Sequence, residues 1–398
     1  MIDSTQLSRN IRIYPYFRFF FNMLIIGPIL VPYMLFKGLN YSQIMLLQSI
    51  SAISVFLFEV PTGAIADKVS RNFSLVLSGF FTGSGLLIYI IFQSFYIFAI
   101  AEIIFGIGMT LASGADSAIL YESMVRLKRK KAYQKIEGNT ASLIFLGQAT
   151  GSILSSFLYV RNPYLPFWFS ICCILISIFI ATGFKDPKRE KSEHTYIIHV
   201  LKSISVAVKT PRILWTVLFA TLMGFVFRTT FWLYQPYFKQ VGIEIKWFGV
   251  IFLYFNLVAA FSSRYLVRKF YETRPRRILI SLIIIIGITY LIPALLISKW
   301  IILLLGLQQV VRGLYSPTLR FYINNHIKDK YRATVISLVS LSASLGFAIL
   351  SPLVGLRLDA KGTVNTYFWM GIFALGSALL LVMLRKYQKI RKQVQISQ

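Results

Sequence analysis

Runs of about twenty apolar residues recur along the whole of this 398-residue chain. Each is long enough to cross a bilayer as a helix. About twelve spans are predicted, near residues 14–36, 43–66, 73–93, 95–118, 136–160, 165–184, 213–235, 247–267, 278–298, 300–323, 333–356 and 366–385. Charged residues make up only 14% of the chain, against about 25% in a soluble domain. The fold class expected is an all-α membrane protein.

A net charge of +28 could suggest a nucleic-acid partner, but its placement does not. Alternate links are basic. Arg126, Lys128, Arg129, Lys130, Lys131 and Lys135 follow span four, Lys185, Lys188, Arg189 and Lys191 follow span six, and Arg268, Lys269, Arg274, Arg276 and Arg277 follow span eight. The intervening links hold few basic residues, so the positive-inside rule puts both termini in the cytoplasm. The charge then reads as topology plus attraction to the anionic headgroups of the lipid bilayer. Cys172 and Cys173 are adjacent within a span and offer neither a disulfide framework nor a metal spacing. His194, His199 and His326 all fall in links.

The two halves repeat. Pro32-Tyr33 and Gly38-Leu39 match Pro236-Tyr237 and Gly242-Ile243 at one common shift, and SLIFLGQATG (142–151) weakly matches SLVSLSASLG (337–346). Six spans per half is an even number, so both halves face the same way, with a substrate site expected between them. The domains expected are an N-terminal six-helix bundle over 1–184, a linker over 185–212, and a C-terminal bundle with a basic tail over 213–398. Ile197, Ile198, Leu201, Ile204 and Val208 recur at near-helical spacing in the linker, which suggests a surface amphipathic helix, with a plain flexible linker as the alternative. Tyr33 and Tyr237, at span ends, read as interfacial belt residues.

Between spans two and three lies GAIADKVSRN, with Gly63, Asp67, Lys68 and Arg71. Gly63 would admit a close helix neighbour. Asp67 can pair with Arg71 or sit at a helix start, where a partial positive charge awaits. This stretch resembles the signature loop of the major facilitator superfamily, except that Asn72 stands where a second basic residue is usual. The resemblance covers the whole chain. It implies two pseudo-symmetric six-helix bundles and a cytoplasmic gate in which the loop latches the halves; a simple turn with solvated charges is the other reading. The copy in the second half, with Val267 opposite Gly63 and Tyr271 opposite Asp67, is degraded. Glu122, near the same edge, is grouped with this gate.

Ionisable residues inside spans are functional candidates. Glu59, Glu102 and Asp116 are candidate proton carriers, because burial favours the neutral form of a carboxylate. Glu102, Met109, Ser113 and Asp116 would share one helix face, a stripe pointing to a watery interior. Arg18 and Asn22 share a face of span one, Arg228 lies in span seven, and Arg312 and Arg320 lie in span ten. These charges either serve transport or form structural pairs that fix helix register. Aromatic residues complete the candidate cavity: Phe225, Phe227, Phe231, Trp232 and Tyr234 in span seven, Tyr254 and Phe255 beside Asn256 in span eight, and Tyr315 and Tyr322 in span ten. The alternative for them is contact with lipid.

Two further superfamily patterns are met in part. Glu102 stands where many proton-coupled members carry an arginine. Gly147 and Gly151 fit the span-five pattern of drug antiporters, whereas Ser152, Ser155 and Ser156 depart from it. The expectation is a secondary transporter working by alternating access, exporting small amphipathic compounds in exchange for protons. The alternative is a carrier of an anionic or zwitterionic metabolite held by cavity arginines. No catalytic constellation, phosphate-cradling loop or metal spacing is present, so neither an enzyme nor a bound cofactor is expected. A monomer in a bacterial plasma membrane is expected.

Overall fold

The structure, a computed structural model, describes residues 4–187, 210–266, 275–327 and 329–397. Among these residues there are helices and no strands, as hydrocarbon requires when each backbone polar group must be satisfied within its own segment. The helices are α1 (Ser4–Asn22), α2 (Leu30–Phe36), α3 (Tyr41–Lys68), α4 (Arg71–Ile91), α5 (Phe95–Ala112), α6 (Ala115–Arg126), α7 (Tyr133–Arg161), α8 (Leu165–Thr182), α9 (Pro211–Gln240), α10 (Phe248–Phe261), α11 (Pro275–Leu295), α12 (Ile301–His326) and α13 (Asp329–Ser397). Among the described residues, ten stretches are long and apolar enough to span a membrane; α1 with α2 makes one, and α5 with α6 another. The last, Val335–Lys386, has 52 residues and breaks at Gly362, whose φ of +78° is non-helical. Counting it as two crossings and adding the 26-residue α12 gives twelve.

Local chemistry explains the ends. Asn40 accepts from Gln43 N at 2.9 Å while its own N donates to Gln43 Oε1 at 3.0 Å, a reciprocal cap that starts α3. Only Val69 and Ser70 separate α3 from α4, and Ser70 Oγ caps the new helix by accepting from Phe73 N. The serine thus turns the chain back within two residues.

Contacts divide the described residues into two compact units. One takes residues up to 187 together with Ile245–Leu253, and the other takes the remainder. Ile245–Leu253 joins the first unit at α7, where Gly249 N donates to Ser156 Oγ at 2.7 Å. A Cβ on Gly249 would overlap the Ser152 carbonyl, so the serine-for-glycine stretch of span five is itself a close-packing surface. The surface helix expected in the linker lies outside the described residues, as do Val267 and Tyr271.

The internal repeat appears as matched geometry. Gly38 ends α2 with φ +86° and Gly242 ends α9 with φ +70°. Behind them Leu39 N returns to Met34 O at 3.1 Å and Ile243 N to Phe238 O at 2.9 Å. Both are left-handed helix stops that favour glycine. Tyr33 and Tyr237 correct the belt reading. Both are fully buried, with Tyr33 Oη donating to Tyr89 O at 2.8 Å and Tyr237 Oη to Ser298 O at 3.3 Å. Each ties the outgoing first span of its unit to the segment two spans later. A phenol with its hydroxyl satisfied can be buried whole, and for that reason a span-end tyrosine need not face the interface. The weaker repeat has a counterpart too. A Cβ on Gly151 of α7 would lie 3.5 Å from Ile25, and Gly346 of α13 crowds Thr221 of α9, so each small residue faces its own unit's first span.

Candidate functional site

In the first unit, two spans are interrupted. Span one breaks between Asn22 and Leu30, with one turn of tighter helix at Gly27–Ile29 led by Gly27-Pro28. Span four breaks at Ser113-Gly114, and Gly114 takes φ +78° before α6 begins. A left-handed residue cannot continue an α-helix, and glycine tolerates it best. This break corrects the expected Glu102–Asp116 stripe: the two carboxylates sit on different helices in different surroundings.

Asp116, the second residue of α6, is buried and forms an ion pair with Arg18 of α1. Its other oxygen accepts from Ser117 N in the first helical turn. One turn before Arg18, Tyr14 donates its hydroxyl to Glu137 Oε2 of α7 at 2.7 Å. Both carboxylates act electrostatically on Arg18 and on Tyr14. Three helices therefore converge on one arginine and two acids. Asn22, on the same face, donates to the Arg18 carbonyl at 2.8 Å and braces the last turn of α1.

The other two proton candidates lie elsewhere. Glu102 is buried among α3, α4 and α5, accepting from Tyr89 Oη at 2.6 Å and Gln48 Nε2 at 3.2 Å. Tyr89 stacks on Phe98 at 4.6 Å, so this carboxylate is walled in and is not part of a watery stripe. Glu59 is exposed, with Ser113 Oγ at 3.5 Å across the break in span four.

In the second unit, Arg312 donates to Asn256 Oδ1 at 3.1 Å, and Gln309, one turn before it, donates to Tyr234 Oη at 2.8 Å. Arg228 is exposed and lies over the Phe347 ring at 5.9 Å. Tyr315 packs against Phe219 and Phe227, with centroids at 6.2 and 6.4 Å. Tyr254 donates to Leu303 O at 2.9 Å and crowds Gly306. Trp232 is buried edge-on to Phe231, so little of it is open to a ligand. Helices α9 to α12 contain no acidic residue. Among the described residues no group of three His, Cys, Asp or Glu side chains could hold a metal.

A family model described as Major Facilitator Superfamily matches residues 16–307 and 265–398. The chain belongs to the Major Facilitator Superfamily. It is a multi-pass membrane transporter of that superfamily. It is 24% identical over 386 residues to YxaM of Bacillus subtilis (strain 168), an uncharacterized MFS-type transporter, with 94% of each chain covered. Among solved structures it resembles the nucleoside transporter NupG at TM-score 0.77 and 11% identity, covering 96% of this chain and 99% of that one. It also resembles the POT family transporter PepTSo at TM-score 0.72 and 14% identity, covering 98% and 99%. A D-xylose-proton symporter matches at TM-score 0.70 and 15% identity, covering 95% and 97%. At such identities the structures speak for the fold alone.

In this superfamily transporter the signature loop is mostly helix. Gly63 lies inside α3, and a Cβ built on it meets nothing within 4 Å, so the close helix neighbour expected there is absent among the described residues. Arg71 reaches Glu122 Oε1 at 2.7 Å, whereas Asp67, whose side chain is 69% exposed, stands 3.9 Å from it. Lys68 is exposed. The backbone N of Arg71 donates to Asp186 at 2.6 Å, and Asn72 donates to Phe184 O at 2.6 Å. Asn72, the departure from the family pattern, thus fastens the exit of α8. Buried Asn10 holds the same exit, exchanging bonds with the backbone of Lys185 at 2.8 and 2.9 Å and donating to Ser123 at 2.9 Å.

Sequence reasoning missed Tyr14, Glu137 and Gln309. Glu137 is the second residue of predicted span five, but the basic run before it masks it as part of a link. Tyr14 lies one helical turn before Arg18, a spacing that places both on one face.

Proposed function

We propose that this superfamily member is a proton-coupled secondary transporter that exports small, partly apolar molecules by alternating access. The Arg18–Asp116 pair with Glu137 is its proton site. The observation that carries this reading is the ion pair lying beside two interrupted helices, with a second carboxylate in electrostatic reach. One guanidinium faces two carboxylates, so which of them it pairs with depends on which carries charge. A proton arriving at Asp116 removes the charge that holds Arg18, and Arg18 can then turn to Glu137. The breaks at 23–29 and 113–114 give the two spans a hinge at that level. Loss of the proton restores the pair.

Of the other predicted carriers, exposed Glu59 is suited to exchange protons with the cavity, whereas walled-in Glu102 is suited to fix the packing of α3, α4 and α5. The aromatic lining of α9 and α12, including Phe227 and Tyr315, suits adaptable apolar cargo. The positive-inside pattern places both termini in the cytoplasm, and the chain works as a monomer because both halves are present.

A second reading, transport of an anionic compound, is favoured by Arg228 and Arg312, which share a unit whose helices α9 to α12 carry no acid. A screen of compound accumulation in cells with and without the protein tests both. Lower accumulation of amphipathic compounds supports export. A changed level of organic anions alone moves the assignment to the second reading.

A further inference from the structure

At one end of the second unit, three arginines gather around a buried tryptophan. Trp215 of α9 has no solvent exposure and donates Nε1 to Leu381 O at 3.1 Å. Arg276, in the first turn of α11, lies over its ring at 4.1 Å. Arg212 sits one turn before Trp215, and Arg385 one turn beyond Leu381. The charges of Arg212 and Arg385 both act on Arg276. Tyr322, 5.5 Å from Trp215, stacks on His326 at 4.6 Å and closes the cluster.

The first unit pairs an arginine at the start of a helix with an acid. There Arg71, in the first turn of α4, is taken by Glu122 at 2.7 Å. The shift that carries Pro32 to Pro236 and Gly38 to Gly242 carries Glu122 to His326. The acid is gone, and the basic charge has grown. Arg276 Nε and Nη2 are buried and meet no hydrogen-bond partner among the described residues. That edge is the fork that grips a carboxylate or phosphate with two parallel bonds. Like charges at close range repel unless an anion joins them, and unmet donors of a charged group are costly.

We infer that this corner of the second unit binds a phosphate group between Arg212, Arg276 and Arg385. The phosphate comes either from the headgroup of an anionic lipid or from a free phosphate compound. Exposed Arg212 is its point of entry. A small rotation of the Arg276 guanidinium off Trp215 brings the unmet edge onto it. The site lies at the end where α9 and α11 begin, which the charge pattern assigns to the leaflet rich in anionic lipid.

The test uses the full chain in phosphatidylcholine nanodiscs and reads the thermal unfolding midpoint. One arm adds phosphatidylglycerol, and the other adds inorganic phosphate at constant ionic strength. The expected result is a saturable rise of several degrees in one arm, which names the source of the phosphate. Arg276→Gln and Arg385→Gln lose most of that rise, whereas Arg161→Gln, outside the cluster, keeps it. If Arg276→Gln does not fold, Arg212→Gln at the exposed rim gives the same reading. An equal response in wild type and cluster variants, reflecting only diffuse attraction to a chain of +28, overturns the site. So does the absence of a response in both arms.

Discussion

Arg18 and Asp116 form an ion pair across 98 residues of chain, each beside the point where its own span stops being a regular helix. Asp116 is in the first turn of α6, where the helix dipole favours a negative charge. Arg18 lies in α1, one turn before the helix ends at Asn22. The break in span four thus creates the helix start that stabilises Asp116, and the pair ties the two broken spans together.

Removing one partner is expected to cost more than removing both. Arg18→Gln leaves Asp116 buried and uncompensated, at a cost of about 3 kcal/mol. Asp116→Asn costs less, because Arg18, with a quarter of its side chain open at 26% exposure, can turn toward Glu137. The double variant recovers part of the loss, as coupled neighbours do. Unfolding midpoints of the three variants in detergent check the order.

Gly114 holds the break in span four at φ +78°. A Cβ there meets no atom within 4 Å, so any cost of Gly114→Ala is conformational. The expected loss is about 1 kcal/mol, with transport falling further than stability if the break serves as a hinge. Comparing the unfolding midpoint with the initial transport rate separates the two effects.

Glu102→Gln is expected to leave proton coupling intact. The side chain accepts from Tyr89 and Gln48 inside α3–α5, and an amide oxygen can take over one of those bonds. The expected effect is a loss of about 1 kcal/mol of stability. A Glu102→Gln protein that folds yet no longer concentrates its substrate returns Glu102 to the proton pathway.

Much of this was legible in the sequence. Apolar run length set the spans, and the Pro-Tyr and Gly matches set the duplication, because left-handed helix stops need glycine at one fixed place. What escaped was tertiary. Glu102 and Asp116 lie 14 positions apart, and a regular helix would align them; nothing local announces that Gly114 leaves the helix, since a glycine inside a span is ordinary. Glu137 was hidden by the basic residues before it. Tyr33 and Tyr237 were misplaced because a span-end tyrosine suits lipid and core equally well until its hydroxyl partner is known. The pairing of Arg71 with Glu122 depends on how α4 and α6 pack, which spacing alone does not encode.

Tyr33→Phe and Tyr237→Phe are expected to behave alike, since each removes a buried hydroxyl bonded to a backbone carbonyl. Each should cost about 1 kcal/mol. The effects should add, because the residues sit in separate units. Unfolding of the single and double variants reads both points.

Proton coupling through Asp116 is tested most directly in proteoliposomes, with a compound found by the accumulation screen. Under an imposed outward proton gradient, wild type should accumulate that compound inside the vesicles against its own gradient. Asp116→Asn should still exchange labelled for unlabelled compound at equal concentrations but should not accumulate it. An Asp116→Asn protein that concentrates the compound as wild type does would contradict the account.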